Sequence, residues 1–174
     1  KISFYRPGKF KLKKCRKCEI LPIEFHRNKP YVNVQVQLDT LGNQLTNVKM
    51  LLDSGGSDAL WLFENSKTAI KTPKKFFKDI LGEGLSGVIY GNKSRIPKLK
   101  IGVFEIEQPT ISFLDSLSTK IARRFKQRNG SLGGAVLKRF TVWLDYPNRL
   151  VMFQRNRLFT APFNYNMSGL DIAY

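Results

Sequence analysis

Residues 50–57 read Met-Leu-Leu-Asp-Ser-Gly-Gly-Ser, and they set Asp53 at the end of an apolar run with a second apolar run following at 59–63. An unpaired buried carboxylate costs several kcal/mol, so such an acid is either tied down by hydrogen bonds or held ready for a reaction. The neighbouring Ser54 hydroxyl and Gly55 amide are groups that can hold it in place. The chemistry open to a carboxylate in this setting is general acid–base work on a water molecule. Two carboxylates about 3 Å apart share one proton, which separates their apparent pKa values and gives one of them the role of base and the other that of acid.

The other aspartates read as structural. Asp39 lies in a hairpin turn, where Leu41 interrupts an Asp-Thr-x-Gly run. Asp58 falls just after the loop, placed to cap the next segment, and Asp145 stands at the bend of a later hairpin, where it accepts turn hydrogen bonds. Cys15 and Cys18 form a single C-x-x-C, and the chain's one histidine is His26. A structural zinc site needs about four ligands, so no metal or other cofactor is expected; the cysteines are either two ordinary thiols or a local disulfide.

The elements that must position Asp53 follow from periodicity. Val32, Val34, Val36 and Leu38 alternate with Asn33, Gln35 and Gln37, the pattern of a half-buried strand. Residues 41–43 supply a turn and residues 47–53 the returning strand, which delivers Asp53; its run of Met50, Leu51 and Leu52 points to cover on both faces. Pro73, then Phe76, Phe77, Ile80 and Leu81, then Gly82 as a stop, predict a short amphipathic helix. Residues 82–115 read as strands punctuated by Gly84, Gly87 and Gly91. Leu117, Ile121 and Phe125 with Gly130 predict another helix, and residues 131–140 a turn with two helical turns. Residues 141–153 form a hairpin bent at Tyr146-Pro147-Asn148-Arg149.

The length, 174 residues, fits one domain with or without part of a neighbour, and 42% hydrophobic content is enough for a core. Thirteen glycines, eight prolines and 12% aromatics suit a strand-and-turn protein. No apolar run nears the roughly 20 residues of a membrane span, so no transmembrane segment is expected. The net charge of +17 invites a nucleic-acid reading, but Lys and Arg recur in scattered runs, and Phe76, Phe77 and Phe125 have core-like spacing. No specific nucleic acid is expected.

Residues 48–63, the glycine-rich stretch 82–102 and residues 129–153 together resemble the retropepsin-like aspartic proteases, in particular bacterial members in which a pepsin-type lobe precedes a PDZ domain. The resemblance spans roughly residues 30–153. It implies a mainly β fold, a closed acid-protease barrel with a flap hairpin and two or three short helices. It also implies a lobe over residues 1–160 and a tail, 161–174, opening a PDZ-like domain. The activity implied is that of an aspartic endopeptidase lobe, hydrolysing peptide bonds through an activated water, or else a non-catalytic peptide- or partner-binding lobe of the same fold.

By the same resemblance Asp53 is the catalytic carboxylate, and Ser54 and Gly55 support its loop. The flap is the hairpin from about 84 to 95, with Gly84, Gly87 and Tyr90 in its working part. Leu132-Gly133 passes beneath the catalytic loop. Position 56 is Gly where the family usually has Ala, and Ser131 stands where an apolar residue is common. Implied partners are a peptide or protein substrate and a second lobe of the same protein, or a homodimer partner, to provide the second aspartate. The start at Lys1 and the unfinished stretch at residues 168–174 are those expected of a fragment, and the resemblance implies an exported protein of a bacterial cell envelope.

Overall fold

The computed structural model describes residues 2–6, 15, 17–39, 42–84 and 87–165. Twelve strands among them join in one sheet: β1 (Cys18–His26), β2 (Lys29–Gln37), β3 (Leu45–Leu52), β4 (Leu60–Phe63), β5 (Phe77–Gly84), β6 (Gly87–Arg95), β7 (Lys98–Ile101), β8 (Phe104–Glu107), β9 (Thr110–Leu114), β10 (Gly130–Leu132), β11 (Phe140–Asp145) and β12 (Leu150–Arg155). The helical content among the described residues is one turn of α-helix, α1 (Gly134–Leu137), and a 3-10 turn at Ala122–Arg124.

The strand order is β11-β12-β1-β2-β3-β10-β4-β9-β6-β5, with β7 on β2 and β8 on β7. Its two ends, β11 and β5, do not pair among the described residues, so the sheet is open and the expected closed barrel is not formed. The reason lies in β5, whose one recorded partner is β6; it forms the outer arm of a hairpin rather than a wall of a barrel.

The alternating strand behaves as its pattern demands. Val32, Val34 and Val36 on β2 are buried with Val48 and Met50 of the antiparallel β3. The facing edge of β2 is shared, first by β1 (Ile23↔Val32 to His26↔Lys29) and then by β7 (Gln35↔Lys100 to Gln37↔Lys98). The two-residue turn between β1 and β2 places Arg27 and Asn28 at φ 49° and 62°, the doubly left-handed geometry whose twist suits a tight hairpin. Away from the site, Phe104, Phe140, Phe153 and Phe159 close the core with ring centroids 5.3 to 6.0 Å apart.

Two expected helices are absent. Residues 77–84 form β5, because Asp79 pairs with Gly91 and Ile80 with Tyr90 across a ladder to β6. A register shift between Ile80 and Gly82 bends this strand, and Gly82 takes φ +145°, which only glycine adopts at little cost. Phe76, Phe77 and Ile80 stay exposed, so their helix-like spacing never met a core. Residues 115–128 are turns apart from the 3-10 helix. There Asp115 accepts from the Ser118 amide at 2.7 Å and its carbonyl from the Thr119 hydroxyl at 2.5 Å, local bonds that compete with a helix. Leu117 and Ile121 are 82% and 66% exposed, so no apolar face is gained by a helix there.

Residues 156–163 return to the body of the sheet. The Arg139 side chain, 2% exposed, donates to the carbonyls of Ala135 (3.0 Å), Leu158 (3.1 Å), Phe159 (3.2 Å), Pro162 (3.2 Å) and Ala161, and lies 3.6 Å from the centroid of the Phe163 ring. The turn residues Thr40 and Leu41 and most of the tail, 166–174, lie outside the described residues. Cys15 and Cys18 are joined in a local disulfide.

Candidate active site

The site is assembled where β10 runs between β3 and β4. It is parallel to β3 (Gly130↔Met50 to Leu132↔Leu52) and antiparallel to β4 (Gly130↔Leu62 to Leu132↔Leu60). β10 therefore ties together the strand that enters the 53–59 loop and the strand that leaves it. The ladder continues into the loop itself: the Asp53 amide donates to Leu132 O at 3.0 Å, the Gly133 amide to Ala59 O at 2.9 Å, and the Gly134 amide to Gly56 O at 2.6 Å. So Leu132-Gly133 does pass beneath the loop. Such an approach requires glycine: a methyl group on Gly130 would strike the Trp61 carbonyl oxygen, and one on Gly133 the Asp58 carbonyl oxygen.

Asp53 emerges from β3 half-buried. Its Oδ1 accepts from the amides of Gly55 and Gly56, both at 3.2 Å, so the loop's own backbone orients the carboxylate. Gly56, conspicuous in the sequence only as a replacement for Ala, is thus one of two donors to the acid. The Ser54 side chain and Gly55 are exposed at the tip of the loop. Asp53, Gly56, Asp58, Trp61, Ser131 and Gly133 line a small cleft of about 20 Å³, room for roughly one water molecule.

Asp58 shares that cleft and is heavily committed. Its Oδ2 accepts from Trp61 Nε1 at 2.6 Å and from the Ser112 hydroxyl at 3.0 Å, and its Oδ1 lies 3.8 Å from Lys93 Nζ. These contacts make it a brace between the loop, β4, β9 and β6, in keeping with its reading as structural. Asp145 and Asp39 hold turns, accepting from Asn148 and from the Gly42 amide.

Arg128 was legible in the sequence only as one basic residue of a run. It reaches back along β10, with Nε 3.1 Å from Gly130 O and Nη2 2.6 Å from the Ser131 hydroxyl, and its guanidinium stacks 5.0 Å from the Phe63 centroid. Burial pushes its pKa down from the ordinary arginine value, while the nearby Tyr31 and Asp53 act in the opposite direction. The polar Ser131, at a position expected to be apolar, is therefore the anchor of a cation that feels Asp53. A basic residue two positions before a Gly-Ser-Leu-Gly-Gly run is the one sequence signal that could have found it.

The β5–β6 hairpin carries the glycines expected in a flap, although its first arm begins at Phe77, well before residue 84. Gly84 and Gly87 face each other as the last described pair, and the tip residues 85 and 86 lie outside the described residues. Tyr90 is 60% exposed and pairs across the hairpin with the exposed Ile80, while Val88 lies two residues away on the same face. Lys93 lies on the opposite face of β6 and points its ammonium to Asp58. Among the described residues no group of three or more His, Cys, Asp or Glu is placed to hold a metal ion, and no helix is long and apolar enough to cross a membrane.

No family model matches the sequence, and no curated protein matches it. Among solved structures, a retropepsin-like aspartic protease from Rickettsia conorii is similar, with a TM-score of 0.47 and 17% identity over 78% of this chain and 97% of that one.

Proposed function

We propose that the chain is one lobe of an aspartic-type endopeptidase, to which Asp53 contributes one of two catalytic carboxylates. The observation that carries this reading is the setting of Asp53: a carboxylate at the end of β3, aimed by two loop amides, beside a water-sized cleft and braced from below by β10. The second carboxylate comes from another lobe or from a second copy of the chain, since Asp58 is occupied by Trp61, Ser112 and Lys93. The pair shares one proton; the ionised member takes a proton from water as the water attacks the scissile carbonyl, and the protonated member polarises that carbonyl. The proton gained by the pair then goes to the leaving amine nitrogen. In this reading the β5–β6 hairpin, with Gly84, Gly87 and Tyr90, closes over an extended peptide as a flap.

The test is Asp53→Asn in the full-length protein against a mixed peptide library. Cleavage should fall by about 10²–10⁴-fold, the usual contribution of a positioned acid–base group. Equal cleavage by both proteins refutes the proposal. The commitment of Asp58 favours one further reading, a peptide-binding lobe without catalysis; retained peptide binding with no cleavage by the unaltered full-length protein would establish it.

A further inference from the structure

Lys93 makes the one ion pair that links the β5–β6 hairpin to the Asp53 loop among the described residues. Its Nζ is 2.7 Å from Asp79 Oδ2, on the other arm of the hairpin, and 3.8 Å from Asp58 Oδ1, in the loop. The backbone prepares this geometry, since Lys93 is the direct cross-strand neighbour of Ser112 on β9, and Ser112 donates to the other oxygen of Asp58. Asp58 is itself held by Trp61 Nε1, and its backbone carbonyl accepts from the Ala135 amide at 3.3 Å. A cation on the hairpin thus meets an acid whose remaining partners all belong to the body. The three side chains are partly shielded, with exposures of 21% for Lys93, 26% for Asp58 and 37% for Asp79, so their attraction is screened less than that of a fully exposed pair.

We infer that Lys93 is a positioning residue, which fixes the angle of the β5–β6 hairpin over the Asp53 loop through Asp58. Its role in catalysis rests on the peptidase reading above; its role as a latch does not. On the peptidase reading, the latch sets how much of the hairpin's closing motion remains to be made when a peptide binds. Removing it leaves the hairpin held by its β6–β9 ladder and by contacts near its base, those of Asn92 with Thr72, Phe77 with Tyr165 and Arg95 with the Phe163 carbonyl, none of which reaches the Asp53 loop.

The experiment is hydrogen exchange of the backbone amides of residues 77–84 and 87–95 in full-length protein. Lys93→Met, Lys93→Arg, Asp58→Asn and the double variant Lys93→Met with Asp58→Asn are compared with the unaltered chain. Exchange of the hairpin should quicken about fivefold in Lys93→Met, the upper end for a partly exposed pair, with β2 and β3 unchanged. Lys93→Arg should restore slow exchange, Asp58→Asn alone should quicken it, and the double variant should be no faster than Lys93→Met, which has already lost the contact with Asp58 along with that to Asp79. An Asp58→Asn protein with unchanged hairpin exchange overturns the latch. Unchanged hairpin exchange in Lys93→Met, or additive effects in the double variant, overturns the latch. On a cleaved peptide, Lys93→Met should raise KM about fivefold with kcat nearly constant; a fall in kcat alone overturns the positioning role. If Asp53→Asn leaves cleavage intact, the peptidase reading fails while the exchange result still decides the latch.

Discussion

Replacing Gly133 by alanine adds one methyl group where residues 133–135 pass against the 56–58 segment of the loop. Its backbone angles, φ −100° and ψ −177°, are extended and open to any residue, so the substitution carries no torsional strain. The cost is steric. The new Cβ would overlap Asp58 O and stand 3.2 Å from both Asp58 C and Gly56 O, all backbone atoms that cannot rotate away. Relief requires the 56–58 segment to move off residues 133–135, which breaks the bonds Gly133 N–Ala59 O (2.9 Å), Gly134 N–Gly56 O (2.6 Å) and Ala135 N–Asp58 O (3.3 Å).

At about 1 kcal/mol net for each hydrogen bond, the loss is about 3 kcal/mol. The stiffer unfolded chain of the alanine variant returns about 0.4–1 kcal/mol. The steric effect wins, and Gly133→Ala should lose about 2 kcal/mol in urea unfolding followed by circular dichroism, or roughly 4–8 °C in Tm for a chain of this size. Gly55→Ala is the control: its Cβ would find only Asp53 Oδ1, at an ordinary 3.6 Å, so its stability should stay within about 0.5 kcal/mol. A Gly133→Ala protein as stable as the original, or a Gly55→Ala protein that loses more, refutes the reasoning that β10 is the tight member of the site.

Two further outcomes concern the return of residues 156–165 to the body. Arg139→Lys keeps the charge but replaces a planar fork of five donors by three donors on a single nitrogen, so several carbonyls among residues 158–162 lose their donor. It should cost about 3 kcal/mol in denaturant midpoint analysis and open residues 156–165 to limited proteolysis, and a protected segment would contradict the assignment. Tyr165 packs edge-on to Phe77 at 5.1 Å and beneath Arg95, and burial raises its pKa above the ordinary tyrosine value, with Arg95 and Lys93 opposing. A raised folded-state pKa means stability that is complete below the unfolded value, near 10, and is lost as pH rises through the folded one. Absorbance titration should therefore show a late-ionising component that disappears in Tyr165→Phe, and a titration identical in the two proteins would contradict it.

The parts of the fold that were legible are those whose partner is the core itself. The alternation at 32–38 survives because one face of β2 is buried along its length, and the step from Met50-Leu51-Leu52 to Asp53 marks the end of β3. Phe76, Phe77, Ile80 and Leu81 misled because their spacing fits a helix as well as a hairpin arm, and the decision was made by a ladder to β6 that no local window contains. Leu117, Ile121 and Phe125 likewise had helical spacing, but only Phe125 found partners, stacking on His26 at 4.2 Å and meeting Tyr31 edge-on at 4.9 Å. β1 escaped notice because Pro22, Glu24 and His26 obscure its alternation and its main partner, β12, is the last strand.

The site divides along the same line. Asp53, Ser54 and Gly55 announce themselves because they are contiguous and end an apolar strand, and Gly56 acts within that same loop, whereas Asp58 and Lys93 acquire their roles only when β4, β6 and β9 bring Trp61, Ser112 and the hairpin beside the loop, and Arg128 only through β10. A carboxylate whose orientation comes from its own loop amides keeps that orientation wherever the loop is placed; what the distant residues supply is the placement. Changes at Gly133 or Lys93 should therefore move the loop or the hairpin as a unit while the bonds from Gly55 and Gly56 to Asp53 persist. On the peptidase reading, that separates variants that weaken peptide binding from those, such as Asp53→Asn, that remove the chemistry itself.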